Sequence, residues 1–238
     1  MRTKNLQRLA GTNINKLDVH YLHYKSFHLV LFAAITKFAK GKLLDIGCGN
    51  KPYEKVLNKT IIEYTGCDIV QSSLNKVDIL CAATDIPLES DTFDTVLSTQ
   101  TIEHVENPNG LVTEAFRLLK PNGFFIISGP LYWHLHEEPY DFFRFTKYGF
   151  KYILGKAGFE IVEINPNGGM WATTGQSIIH SFLNSKSNHF FIRSSRSLFY
   201  RLRLYRLINS FFCWLDKADY NPINTMNYVV IGKKPLKK

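Results

Sequence analysis

The chain reads as an α/β fold: a mostly parallel sheet with helices on both faces. Three observations predict it. Short, continuously apolar segments alternate with helical ones, as expected of strands covered on both sides. One such segment, Lys42 to Ile46, runs directly into a glycine-rich turn. The composition is that of one globular unit, with 238 residues, 45% hydrophobic and 21% charged.

The elements follow in order. Residues 18 to 40 mix Leu, Val, Phe and Ala with Lys and His at helical spacing. Lys42 to Ile46 is a buried strand, and Asn50 to Leu57 is helical. Tyr64 to Ile69, Val77 to Cys81 and Phe93 to Ser98 are the next three strands. A helix over about 110–120 ends at the turn Pro121-Asn122-Gly123. Phe124 to Ser128 is a fifth strand. Thr146 to Ala157 is a helix stopped by Gly158, and Phe159 to Ile164 is a sixth strand. Asn227 to Gly232 closes the sheet. A single domain results: a helical cap over 1–40, a core over 41–165, a basic aromatic helical insertion over 166–220, and a last strand and tail over 221–238.

Several classes are excluded. Cys48, Cys67, Cys81 and Cys213 contain no C-x-x-C pair, which argues against a zinc knuckle or a thioredoxin-type motif. Met1-Arg2-Thr3-Lys4-Asn5 leads into no apolar signal region, and the free cysteines fit a reducing compartment. The longest apolar run, Leu29 to Ile35, is far below the roughly 20 residues needed to span a bilayer. A cytoplasmic protein, able to sit at the periphery of a membrane, is expected.

The net charge of +9 is unevenly placed. Residues 1–163 balance 18 basic against 18 acidic side chains; residues 164–238 hold 11 basic and 2 acidic. Such a block concerns partners rather than fold.

The turn after the first strand is Asp45-Ile46-Gly47-Cys48-Gly49-Asn50. Glycines let a ligand approach the backbone, and helix N-terminal amides face it. The dinucleotide pattern G-x-G-x-x-G fails, because Pro52 holds its third glycine position. Asp45 would also repel a pyrophosphate. A carboxylate there suits a ligand carrying an ammonium and a sulfonium. Asp68, 19 residues after Gly49 at the end of the second strand, can accept both ribose hydroxyls.

Leu43-Leu44-Asp45-Ile46-Gly47-Cys48-Gly49 resembles motif I of the class I S-adenosylmethionine-dependent methyltransferases. The likeness continues in register through Gly66-Cys67-Asp68, Thr84-Asp85-Ile86-Pro87-Leu88, Phe93-Asp94-Thr95-Val96-Leu97-Ser98, Ile102-Glu103-His104-Val105 and Leu118-Leu119-Lys120-Pro121-Asn122-Gly123. It covers about residues 40–165 and resembles the type-11 methyltransferase domains. The resemblance implies a Rossmann-like sheet of seven strands in the order 3-2-1-4-5-7-6, the last antiparallel. It implies S-adenosylmethionine as cofactor and S-adenosylhomocysteine as product. Asp45 would orient the amino-acid end, while Gly47 and Gly49 allow close packing and Asp68 takes the ribose. Asp85 would accept from the adenine amine, and Ile69 and Ile86 would flank the ring. Gln100 and Thr101 would lie near the sulfonium.

Tyr132 to Tyr148 follows the fifth strand, at the end of the sheet where ligands bind. It resembles a segment of methyltransferases found with bacterial surface-glycan biosynthesis. Methyl transfer to an alcohol needs an aligned acceptor and a base. His134 and His136 are two residues apart and share a face in extended chain. Asp141 is placed to orient one of them, and Arg144 to hold a substrate anion. Residues 134–141 supply nitrogen and oxygen donors but no zinc signature, so no metal is expected.

Further on, Leu204, Ile208, Phe211 and Leu215 recur on one helical face. The basic aromatic stretch suits an interior cap, a homodimer contact, or an anionic membrane surface met through residues 186–206. The expected reaction is methyl transfer from S-adenosylmethionine to a small-molecule, sugar or lipid-linked glycan acceptor, on oxygen. A nucleic-acid methyltransferase is the alternative the charge admits, but no N-P-P-Y or comparable motif supports it. A non-catalytic cofactor-binding scaffold is the other.

Overall fold

The computed structural model describes residues 9, 11–58 and 60–236. The expectation for Met1 to Asn5, the start of the cap and the last two lysines lie outside these residues. The described elements are α1 (Tyr21–Phe38), β1 (Gly41–Ile46), α2 (Glu54–Leu57), β2 (Ile61–Asp68), β3 (Ile79–Leu80), β4 (Phe93–Thr99), α3 (Pro108–Leu118), β5 (Leu119–Pro130), α4 (Lys147–Lys156), β6 (Glu160–Asn167), α5 (Met170–Asn184), α6 (Phe190–Arg201), α7 (Tyr205–Ala218) and β7 (Asn227–Lys233). A single 3₁₀ turn, Ile102–His104, follows β4.

The sheet has seven strands in the order β3-β2-β1-β4-β5-β7-β6. β1 pairs in parallel with β2 and β4, and β4 with β5, while β7 runs antiparallel to both β5 and β6. This is the order that the methyltransferase resemblance implies. The sheet buries side chains on both faces. Phe125 and Ile127 enter one apolar cluster, with Phe150 of α4 and Leu111 of α3. Ile126 enters the other, with Phe27, Leu31 and Ile35 of α1. Alternation along β5 thus feeds two cores. Each fully buried aromatic or aliphatic side chain stabilises the fold by about 1.5–3 kcal/mol.

Some elements differ from expectation. β3 is only two residues long, at the sheet edge. Pro121-Asn122-Gly123 lies inside β5 as an irregularity rather than before it: Asn122 has φ 64°, and the pairing with β4 shifts between Phe93 and Thr95. Side-chain N-caps start α3 and α4. Asn107 accepts from the Gly110 amide, and Thr146 from the Gly149 amide. α7 packs on α5, and of the expected face Leu204, Ile208 and Leu215 are half-buried. Phe211 is 54% exposed, whereas Phe212 sits against Gly175, where a Cβ would collide with its ring. Buried Asn209 donates to the carbonyls of Lys16 and Asp18, tying α7 to the segment before α1.

Burial holds three histidines neutral. It pushes His23 down to about 3, His28 to about 4 and His180 to about 3. An unfolded chain protonates such residues below about 6.5, so it binds more protons and native stability falls as pH drops from about 6.5 toward 4. Both His28 ring nitrogens lack a hydrogen-bond partner, and the ring stacks on Phe32 at 5.1 Å. His28→Phe is expected to raise the melting temperature at pH about 5 by more than at pH about 7.5. Equal shifts at both values would contradict this reading.

Candidate active site

β1 ends at Ile46, and the chain turns through Gly47 (φ 78°) and Gly49 (φ 50°). Left-handed backbone at both positions favours glycine. A Cβ at Gly47 would also collide with Thr101. The Gly47 and Cys48 amides both donate to the Cys67 carbonyl, at 2.8 and 3.1 Å. The Gly49 amide donates to Asp68 Oδ2 at 3.2 Å. Beneath the turn, Asp78 Oδ2 accepts from Lys51 Nζ at 2.5 Å and from the Gly66 amide at 2.6 Å. The turn is therefore pinned to β2 from both sides.

Asp45 is 1% exposed. The Tyr64 hydroxyl donates to its Oδ2 at 2.5 Å, while Oδ1 has no hydrogen-bond partner. Burial raises this carboxyl to about 7, against the opposing Tyr64 hydrogen bond. A buried carboxylate with one bare oxygen is a place for a cation.

A cavity of about 680 Å³ opens at the C-terminal edge of the sheet, a volume usual for small-molecule sites. Asp45, Gly47, Gly49, Asp68, Ile69, Gln100 and Thr101 all line it. Gln100 adopts φ 51° and donates from Nε2 to Ser128 Oγ at 3.1 Å. The structure brings together seven of the nine residues expected on the cofactor side. Asp85 and Ile86 stand apart from the lining. The Asp85 amide bonds back to the Ala82 carbonyl at 3.1 Å, a tight reversal that leaves Asp85 exposed and turns Ile86 into the core. Cys81, Ala82, Ala83 and Thr84 line the cavity in their place.

The rest of the lining comes from α1 and the β5–α4 loop. His23, Tyr24 and Phe27 enter from α1, and Trp133, His136, Tyr140 and Phe142 from the loop. His136 is held from behind: its Nδ1 is 3.3 Å from Asp141 Oδ2 and 3.3 Å from the His134 carbonyl, and its amide donates to Asp141 at 3.0 Å. Both neighbours of Nδ1 are acceptors, so Nδ1 carries the proton and Nε2 the lone pair.

Arg144 and His134 do other work than expected. All five Arg144 donors are consumed inside the loop. Two meet Asp141, at 2.6 and 2.7 Å, and three meet the carbonyls of Trp133, His134 and Phe143. The guanidinium therefore braces the loop and has no donor left for a substrate anion. Burial opposes ionisation of Asp141, but the Arg144 hydrogen bonds and the His136 amide outweigh it and hold the carboxyl well below its usual range. His134 is absent from the lining. Its Nδ1 lies 3.2 Å from His180 Nδ1, and burial lowers its pKa.

A further group was not singled out from the sequence as a site. Glu103 is 0% exposed, and neither carboxylate oxygen has a hydrogen-bond partner. Burial pushes it up to about 8. His104 beside it lines the cavity, and its ring is 4.7 Å from that of His136.

The Asp141–Arg144 pair is largely buried, its side chains 1% and 24% exposed. Breaking such a pair costs about 3–5 kcal/mol. Arg144→Met is expected to lower unfolding free energy on that scale in urea titration and to leave affinity for a cofactor at the Asp68 end unchanged. A variant as stable as the parent would contradict the bracing role.

Comparison with known proteins bears on this geometry. Residues 44–127 match the family model described as a methyltransferase domain. The ubiquinone biosynthesis O-methyltransferase of Rickettsia typhi is 30% identical over 126 residues, covering 48% of this chain and 46% of that protein. The chain thus spans about half the length of the curated relatives it matches. Among solved structures, the cyclase SpnF superposes with a TM-score of 0.60 at 15% identity, covering 98% of this chain and 89% of that one. A SAM-dependent methyltransferase from Archaeoglobus fulgidus gives 0.54 at 19% identity, covering 89% and 100%. These two likenesses establish the fold, and a fold alone does not name a reaction. The match over residues 44–127 and the strand order of the sheet together make this part of the chain similar to S-adenosylmethionine-dependent methyltransferase domains.

Proposed function

We propose that the chain transfers a methyl group from S-adenosylmethionine to an oxygen of a small-molecule, sugar or lipid-linked glycan acceptor. One observation carries the reading: a single cavity joins the Asp45–Asp68 end to the His136 loop. The residues fit the cofactor. The bare, buried Oδ1 of Asp45 is matched by an ammonium. Asp68, 5% exposed at the end of β2, is matched by ribose hydroxyls. The left-handed glycines leave room for close approach. Ile69 supplies an apolar edge, and the stretch Cys81–Thr84 takes the place first given to Asp85 and Ile86. When bound, the cofactor supplies a methyl group on positively charged sulfur.

The chain's part is alignment and handling of the acceptor proton. Gln100 and Thr101 stand just past β4, between the two ends. His136, with Nε2 as its lone-pair nitrogen and Asp141 behind it, is the side chain assigned to the acceptor oxygen. Trp133, Tyr140 and Phe142 give the acceptor an aromatic wall. Oxygen as the methylated atom is supported by the Rickettsia relative, whose name is that of an O-methyltransferase.

The surface favours a lipid-linked acceptor over nucleic acid. Phe190, Phe191, Leu198, Leu202 and Leu207 are exposed among exposed Lys186, Arg193, Arg201, Arg203 and Arg206. Apolar and cationic side chains interleaved in this way suit an anionic lipid interface. No helix of the described residues is long and apolar enough to cross a membrane.

The test uses methyl-labelled S-adenosylmethionine and host extract, fractionated into lipid, glycan, small-molecule, protein and nucleic-acid pools. Label is expected in the lipid, glycan or small-molecule pool, and His136→Ala is expected to slow its appearance at least about tenfold with cofactor affinity unchanged. Label confined to nucleic acid, or no label while the cofactor binds, would overturn the reading. Full activity in the variant would remove His136 from the mechanism.

A further inference from the structure

Beside His104, at the acceptor end of the cavity, lies a buried carboxylate with no hydrogen-bond partner on either oxygen. Glu103 sits in the 3₁₀ turn after β4, fully buried, with both oxygens unpartnered. An unpaired buried carboxyl is costly and is normally neutralised, paired or bound to a metal. Its neighbours are imidazoles. One donor atom from each of Glu103, His104 and His136 lies within 4.8 Å of the others.

Both imidazoles are oriented as metal ligands are. His104 Nδ1 lies 2.7 Å from the Tyr140 carbonyl, an acceptor, so Nδ1 carries the proton and Nε2 the lone pair. His104 Nε2 is 4.0 Å from Glu103 Oε1 and 4.0 Å from Glu137 Oε2. His136 has the same arrangement, with Asp141 and the His134 carbonyl on its Nδ1. A carbonyl or carboxylate on the far nitrogen of a ligating histidine is the usual outer support of a metal site.

We propose that Glu103, His104 and His136 bind one divalent first-row transition ion, with Glu137 beside it and a coordination position open to the cavity. Two imidazoles and a carboxylate are donors suited to zinc, cobalt, manganese or iron rather than to calcium or magnesium. Donors bound at about 2.1 Å lie about 3–3.5 Å apart, so loading draws the three side chains together by roughly 1–1.5 Å. In the loaded site His136 Nε2 would be a ligand, so the handling of the acceptor proton assigned to it above belongs to the metal-free form. This departs from the expectation of no metal, which considered only residues 134–141. The ion's role in transfer rests on the proposed function; the binding site itself does not.

The test needs neither cofactor nor acceptor, so its failure is separate from failure of the methyl-transfer reading. The chelator-treated full chain is titrated with Zn²⁺ by calorimetry and with Co²⁺ by visible absorption. One ion per chain is expected, with a visible Co²⁺ ligand-field band. Glu103→Gln, which keeps the shape of the buried side chain, and His136→Asn, on the loop, are each expected to weaken binding at least about tenfold and to change the band. His180→Gln, in the separate His20–His134–His180 row, is expected to leave both unchanged. No binding at micromolar metal would overturn the proposal. So would binding that survives Glu103→Gln and His136→Asn, or that is lost with His180→Gln.

Discussion

The parallel pairing of β1 between β2 and β4 is the constraint on which the site depends. It brings three strand ends to one edge, and Asp45, Gly47, Gly49, Asp68, Ile69, Gln100 and Thr101 lie at or just past them. The pairing is locked at the turn itself. Two successive amides, from Gly47 and Cys48, share the Cys67 carbonyl, and the Gly49 amide is held by Asp68. Asp78 bonds Lys51 on one side and the β2 backbone on the other. The glycines thus do two things: they permit the left-handed turn, and they leave the space that a Cβ would fill.

Two buried carboxyls stand out: Asp45 lines the cavity at one end, and Glu103 lies behind the lining, beside His104, at the other. Asp45 and Glu103 are each raised by burial, to about 7 and about 8. Each keeps oxygen atoms without a partner. In a low-dielectric interior such groups await positive charge. At one end the bare Oδ1 of Asp45 is matched, in the proposed function, by the ammonium of the cofactor. At the other the geometry favours an ion between imidazoles. Between them stand Gln100 and Thr101. The loop that closes the acceptor end owes its shape to Arg144, which satisfies one carboxylate and three carbonyls with a single planar group.

The sheet and the cofactor edge were legible because their requirements are local. A strand running into Gly47 and Gly49, and a carboxylate at the end of the next strand, are sequence facts with direct geometric meaning. Asp85 misled because one backbone reversal, at Ala82, decides whether its side chain faces the cavity or water. Arg144 misled for another reason: its spacing suggests an anion site, but five loop acceptors claim its donors first. On α7 the apolar repeat holds for half-buried Leu204, Ile208 and Leu215, but Gly175 admits Phe212 and Phe211 is left exposed. Glu103 was visible within Ile102-Glu103-His104-Val105, but its burial and its nearness to His136, 33 residues on, are tertiary facts.

The central claim is that the edge formed by β1, β2 and β4 holds S-adenosylmethionine through Asp45, the glycine turn and Asp68. The most direct measurement is calorimetric titration of the intact chain with S-adenosylmethionine, beside the Asp68→Ala variant with its folding checked by circular dichroism. The account predicts one site per chain, and a loss of at least about tenfold in the folded variant, since two ribose hydroxyls lose a charged acceptor. Equal affinity in the two proteins, or no binding to the parent chain, would contradict it.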